Sequence, residues 1–80
     1  MPKLKVLSGL EVLNIFIKFG FESISQKGSH IKIRRLHDEG KQTLIVPNHK
    51  QLDTGTLRGI LKQASKFIPL DDLKKYFYTE

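Results

Sequence analysis

The stretch from His30 to Leu36 does most to limit the fold. Along an extended chain Ile31 and Ile33 point one way, and His30, Lys32 and Arg34 point the other. One apolar face and one basic face describe a strand packed on one side and open on the other. Turn chemistry flanks it. Lys27-Gly28-Ser29 is a tight hairpin turn in which Gly28 is free to take positive φ. His37-Asp38-Glu39-Gly40-Lys41 is a second turn. Phe21 to Gln26 reads as the preceding strand, and Gln42 to Val46, ended by Pro47, as the following one. Three sequential strands with short turns imply an antiparallel meander.

Helices bracket the meander. Ser8 and Glu11 form an S-x-x-E capping box, in which each side chain can satisfy an orphan backbone N–H. Leu10, Leu13 and Ile17 recur at helical spacing with Phe16 beside them, and form the expected apolar stripe of a helix over residues 8–19. Gly20 can stop it in the left-handed conformation. A polar loop, Asn48 to Asp53, leads to a second helix capped by Asp53 or Thr54, with Leu57, Ile60, Leu61 and Ala64 as its apolar stripe. Gly59 inside this helix costs about 1 kcal/mol relative to Ala, and marks either close packing against the sheet or tolerated slack. After Pro69, Asp71 and Asp72 come early and Lys74 and Lys75 late, as a helix dipole favours, so a short third helix is expected. The expected class is α+β, in the order α-β-β-β-α with an extra C-terminal helix and the helices on one face of the sheet.

The chain has 80 residues, which sets one domain over 1–80, with a core at about 8–65 and a helical extension at 66–80. A domain near this size buries only roughly 60–65% of the surface of its unfolded chain, so any site is shallow and lies on the surface. The absence of cysteine excludes disulfides and cysteine-bound zinc. Apolar runs are broken by Lys18, Gly20 and Glu22 and fall well short of a membrane span. No cleavable leader follows Met1-Pro2-Lys3-Leu4-Lys5, so the chain reads as soluble and cytoplasmic, with no membrane partner. Lys and Arg number 14 against 8 Asp and Glu, a net charge of +6, which favours polyanionic partners or serves solubility alone.

His30 is the leading chemical candidate. It opens the central strand beside a glycine turn and shares a face with Lys32 and Arg34. Same-face neighbours lie about 7 Å apart, so a cationic row there can hold a nucleic-acid backbone against the imidazole. An imidazole both takes and gives a proton near neutrality. Spacing alone does not separate such a residue from an ordinary exposed hairpin histidine. His49, after Pro47-Asn48, is a second candidate for phosphate contact or acid–base work, or a solvated loop residue. His37 sits in the acidic turn and takes no role. Ser29 points away from His30 if strand alternation holds, which suits a turn role better than a nucleophile. The amides of Thr54, Gly55 and Thr56 can hold an anion or simply be capped. The histidines lack metal-ligand spacing, and Asp38 and Glu39 do not converge, so neither a metal nor a cofactor is expected. Phe16, Phe19, Phe21 and Phe67 fall at core-like positions, and Tyr76, Phe77 and Tyr78 suit docking of the last helix better than base stacking.

Taken in order, these segments resemble the HicA family of bacterial toxin–antitoxin systems over about residues 8–65. The resemblance rests on Ser8-Gly9-Leu10-Glu11-Val12, Phe19-Gly20-Phe21, Gln26-Lys27-Gly28-Ser29-His30, Val46-Pro47-Asn48-His49 and Gly55-Thr56-Leu57-Arg58-Gly59-Ile60-Leu61-Lys62-Gln63-Ala64. It implies a fold like the double-stranded-RNA-binding domain, ribosome-independent cleavage of mRNA, and neutralisation by a HicB-type antitoxin. It places the catalytic histidine on His30. RNA contacts are expected from Lys27, Gly28 and Ser29 at the turn, and from Lys32 and Arg34 by location. The Pro47-Asn48-His49 loop with Lys50, and Arg58 at the start of the second helix, are expected nearby. The extension after Ser65 departs from the shortest members of the family. Two other readings share the element order and the charge: a non-catalytic double-stranded-RNA-binding module, and a module whose basic face meets an acidic protein.

Overall fold

The computed structural model describes residues 2–38 and 40–79. Its order is α1 (Gly9–Lys18), β1 (Glu22–Lys27), β2 (His30–His37), β3 (Gly40–Pro47), α2 (Thr54–Ala64) and α3 (Leu70–Phe77). This is an α+β fold with the arrangement of a double-stranded-RNA-binding domain and one added helix. Both arms of the capping box form: the Glu11 amide donates to Ser8 Oγ at 3.1 Å, and the Ser8 amide donates to the Glu11 carboxylate at 2.9 Å. Gly20 takes φ +96° just past the helix end. The hairpins are tighter than the turn residues suggest, because the ladder takes in Lys27, His37 and Gly40, and β3 runs on through Pro47, which pairs with His30. Glu39, in the second turn, lies outside the described residues.

The sheet order is β1-β2-β3, antiparallel throughout. Residues opposite each other in a ladder share a face. His30 pairs with Lys27 on one side and Pro47 on the other; Lys32 pairs with Ser25 and Ile45; Arg34 pairs with Glu22 and Thr43. A bulge between Ser23 and Ser25 shifts the β1–β2 register by one residue, so that Ser25 and not Ile24 stands opposite Lys32. All these residues lie on the face away from Ile31, Ile33, Leu44 and Val46, which are buried. The helices cover only the second face, and the molecule is a slab 18 Å through its thinnest direction.

The core corrects the expectation for the first helix. Val12, Ile15 and Phe16 are buried, while Leu10 is 53% and Ile17 48% exposed; Leu13 only leans on the core. Both stripes recur with the helical period, so periodicity does not choose between them. Contacts distant in sequence do. The Phe16 ring meets Phe21 edge-on and Phe77 at a tilt, each at 5.6 Å between centroids, and aromatic burial on this scale outweighs that of a leucine. Gly9 holds the same rotation, because it is buried against the loop after β3. The stripe of α2 is as expected, with Leu57, Ile60, Leu61 and Ala64 buried. Gly59 is not a close-packing site: a Cβ there would meet nothing within 4 Å. From α3, Leu73 and Phe77 complete the core. The chain end then pairs with its beginning, through Lys5 N–H to the Phe77 carbonyl at 2.8 Å and Thr79 N–H to the Lys3 carbonyl at 2.7 Å.

Candidate functional site

The open sheet face carries the site. His30 is exposed at the first position of β2. With Ser25, Lys27, Lys32 and Ile45 it lines a shallow cavity of about 380 Å³. Strand register explains the grouping: Lys27 and His30 face each other across β1 and β2, and Ser25, Lys32 and Ile45 form the next row. Two lysines and an imidazole round one shallow hollow suit an oxyanion-bearing ligand. Arg34 lies on the same face one step further and is half-buried. Its Nε is shielded from solvent and has no hydrogen-bond partner among the described residues.

The hairpin is braced from below. Gly28 has φ +59°, which an L side chain rarely takes. The Gln26 side-chain amide donates to the Gly28 carbonyl at 3.0 Å. The Ser29 carbonyl accepts from the Asn48 amide at 2.6 Å, so this serine meets the loop after β3 through its backbone. The next loop residue is tied to the first helix, where the Gly9 amide donates to the His49 carbonyl at 2.9 Å. A Cβ on Gly9 would collide with the Pro47 carbonyl oxygen and lie 2.9 Å from Asn48 Cα. Gly9 therefore lets helix α1 and the loop meet backbone to backbone. The local sequence gave no sign of this, because glycine at a helix start is common.

His49 and Lys50 are exposed in that loop, and neither lines the His30 cavity. Hydrogen bonds from the Thr56 amide, at 2.6 Å, and from the Thr56 side chain hold the Asp53 carboxyl below its ordinary pKa, with a smaller electrostatic contribution from nearby His49. Asp53 is thus the cap of α2, and its own carboxylate takes the Thr56 amide that an external anion would need. Arg58 is exposed on α2. The groove between α2 and β3 is lined by Thr56, Gly59, Ile60 and Gln63 and not by Arg58.

A residue outside the expected set proves central to the scaffold. Arg35 follows Arg34 and so points to the helix side. Its Nε donates to Gln42 Oε1 at 2.6 Å, Nη1 to the Phe19 carbonyl at 2.7 Å and Nη2 to the Phe67 carbonyl at 3.1 Å, with its guanidinium 5.2 Å from the Phe21 ring centre. It joins the ends of α1 and α2 to the sheet. Strand alternation does put Arg35 on the apolar face, and a charge in that position was the signal available.

The sequence profile of the family described as HicA toxin of bacterial toxin-antitoxin matches residues 9–65. The chain belongs to the HicA toxin family. The HicA match runs from the first residue of α1 past the end of α2, so it holds the whole sheet, His30 and the His49 loop, and it stops before α3. Neither the curated proteins nor the solved structures gave a match. Membership makes this a toxin of a toxin–antitoxin system and implies an antitoxin partner. No helix among the described residues is long and apolar enough to cross a membrane.

Proposed function

We propose that this HicA toxin is a ribosome-independent mRNA interferase that cleaves RNA in the cytoplasm by acid–base chemistry at His30. The observation that carries the reading is the placement of His30 between Lys27 and Lys32 in a shallow cavity on the uncovered sheet face. His30 takes the proton of a ribose 2′-hydroxyl, or hands one to the leaving 5′-oxygen. The 2′-oxygen bonds to the adjacent phosphorus as the bond from phosphorus to the 5′-oxygen breaks. The products are a 2′,3′-cyclic phosphate and a 5′-hydroxyl, with no metal needed. Lys27 and Lys32 stabilise charge that develops on the phosphoryl oxygens. Gly28 and Ser29 shape the turn that presents the imidazole. Arg34, His49, Lys50 and Arg58 contact RNA further from the reacting phosphate. The antitoxin covers His30 and its basic row and so blocks RNA directly.

A positioned acid or base contributes about 10²–10⁴-fold to rate. His30→Ala is expected to lose RNA cleavage by that factor while its circular dichroism and unfolding temperature stay those of the parent. Full RNase activity in the variant, or complete inhibition of the parent by EDTA, overturns the mechanism. The element order favours a second reading, a non-catalytic module for duplex RNA. Tight duplex binding without strand scission would decide for it.

A further inference from the structure

The cationic row extends from His30 in one direction along β2, because His30 is its first residue. Lys32 shares the cavity with His30, and Arg34 lies beyond it, about 13 Å along the strand from His30. Arg34 is used differently from its neighbour. Arg35 gives its N–H groups to three acceptors of the fold, whereas the shielded Nε of Arg34 has none among the described residues. Shielded polar atoms are paired in most folded proteins, so this unpaired Nε marks a guanidinium that the fold does not hold, and its Nη groups are the ones a ligand on the open face would meet. The residues facing Arg34 in register are Glu22 and Thr43, and no ion pair or hydrogen bond joins either side chain to it.

We propose that Arg34 seats the backbone phosphate two nucleotides away from the bond at His30, so that RNA lies along β2 as a single extended strand. Same-face residues recur about every 7 Å, close to the span of one extended sugar–phosphate unit. The step from His30 to Lys32 to Arg34 thus matches three consecutive phosphates. A guanidinium is planar and forks onto phosphate oxygens, which a surface that tracks a backbone can use. The Glu22 carboxylate repels a phosphate on the β1 side and directs the strand towards Thr43 and Ile45 of β3. Ile45, 45% exposed, offers an apolar rest for a base.

The inference deepens the reading of His30 as the cleaving residue, but its test does not depend on cleavage. Labelled oligoribonucleotides with one, two, three or four phosphates are bound to the His30→Ala protein and followed by fluorescence anisotropy. Affinity is expected to step up roughly tenfold when the third phosphate is added. Adding Arg34→Gln should abolish that step, and Arg34→Lys should restore most of it. The salt dependence of binding should fall by about 0.7 in log–log slope with Arg34→Gln, the value for one phosphate contact on a single strand. The same length step in Arg34→Gln, or an equal loss at every length, overturns the proposal. So does a lower unfolding temperature with an unchanged length series, which would assign Arg34 to the fold. Cleavage by the parent protein, measured separately, decides the reading of His30.

Discussion

At the scale of single residues, Arg34 and Arg35 show how position sets the role of identical side chains. Adjacent strand residues face opposite ways. One guanidinium therefore meets the open face, and the other meets the carbonyl ends of two helices. Arg35→Ala leaves the Phe19 and Phe67 carbonyls and Gln42 without their donor and should cost about 2–4 kcal/mol. Arg35→Lys should recover little, because an ammonium on a flexible stem cannot span three acceptors set in a fork. Chemical denaturation of the two variants checks this; parental stability in Arg35→Lys would show that charge alone suffices. Asp53 sets a pH dependence. Its folded pKa is depressed, first by the Thr56 amide, so its stabilising effect is complete above the ordinary value of 3.8 and is lost as pH falls through the lower folded value. Asp53→Ala should therefore unfold at a lower temperature than the parent near neutrality, with the gap closing in strong acid. A gap that is constant with pH would remove the carboxylate from the cap.

At the scale of elements, the first helix is the informative one. Its capping box, start and stop were legible, because each depends on groups within a few residues of one another. Its orientation was not. Leu10, Leu13 and Ile17 make a good stripe, and so do Val12, Ile15 and Phe16; only the partners of Phe16 and the close approach at Gly9 choose between them. The choice has a direct test in paired variants. Leu10→Lys and Ile17→Lys should change unfolding free energy by less than about 1 kcal/mol, as surface changes do. Val12→Ala and Phe16→Ala should cost about 1–2 and 3–5 kcal/mol. The reverse ranking would mean that the helix buries its other side.

At the scale of the whole molecule, the family match and the folding unit have different ends. The match stops at residue 65, yet Ile68, Leu73 and Phe77 belong to the core, and the last residues pair with the first. Fully burying each such side chain is worth about 1.5–3 kcal/mol, and three of them rival the whole net stability of a small domain. A chain ended after Ser65 is expected to lose its cooperative thermal transition. A sharp transition within a few degrees of the parent would show that residues 66–80 are an accessory. The slab also separates two tasks: the helical layer builds the core, and the bare sheet face is left for His30 and its row of cations.

Alternation and turn chemistry alone determined the meander, the basic face of β2 and the position of His30 upon it, since a strand assigns its side chains to faces through its own backbone. The same holds for the helix ends, where donors and acceptors lie three residues apart. Tertiary structure alone decided which side of α1 is buried, why Gly9 has no room for a side chain, and that the Arg35 guanidinium donates to the Phe19 and Phe67 carbonyls. Those outcomes rest on contacts between residues such as Phe16 and Phe77, or Arg35 and Phe67, that are remote along the chain. No local pattern encodes such contacts, because they exist only once the elements have packed.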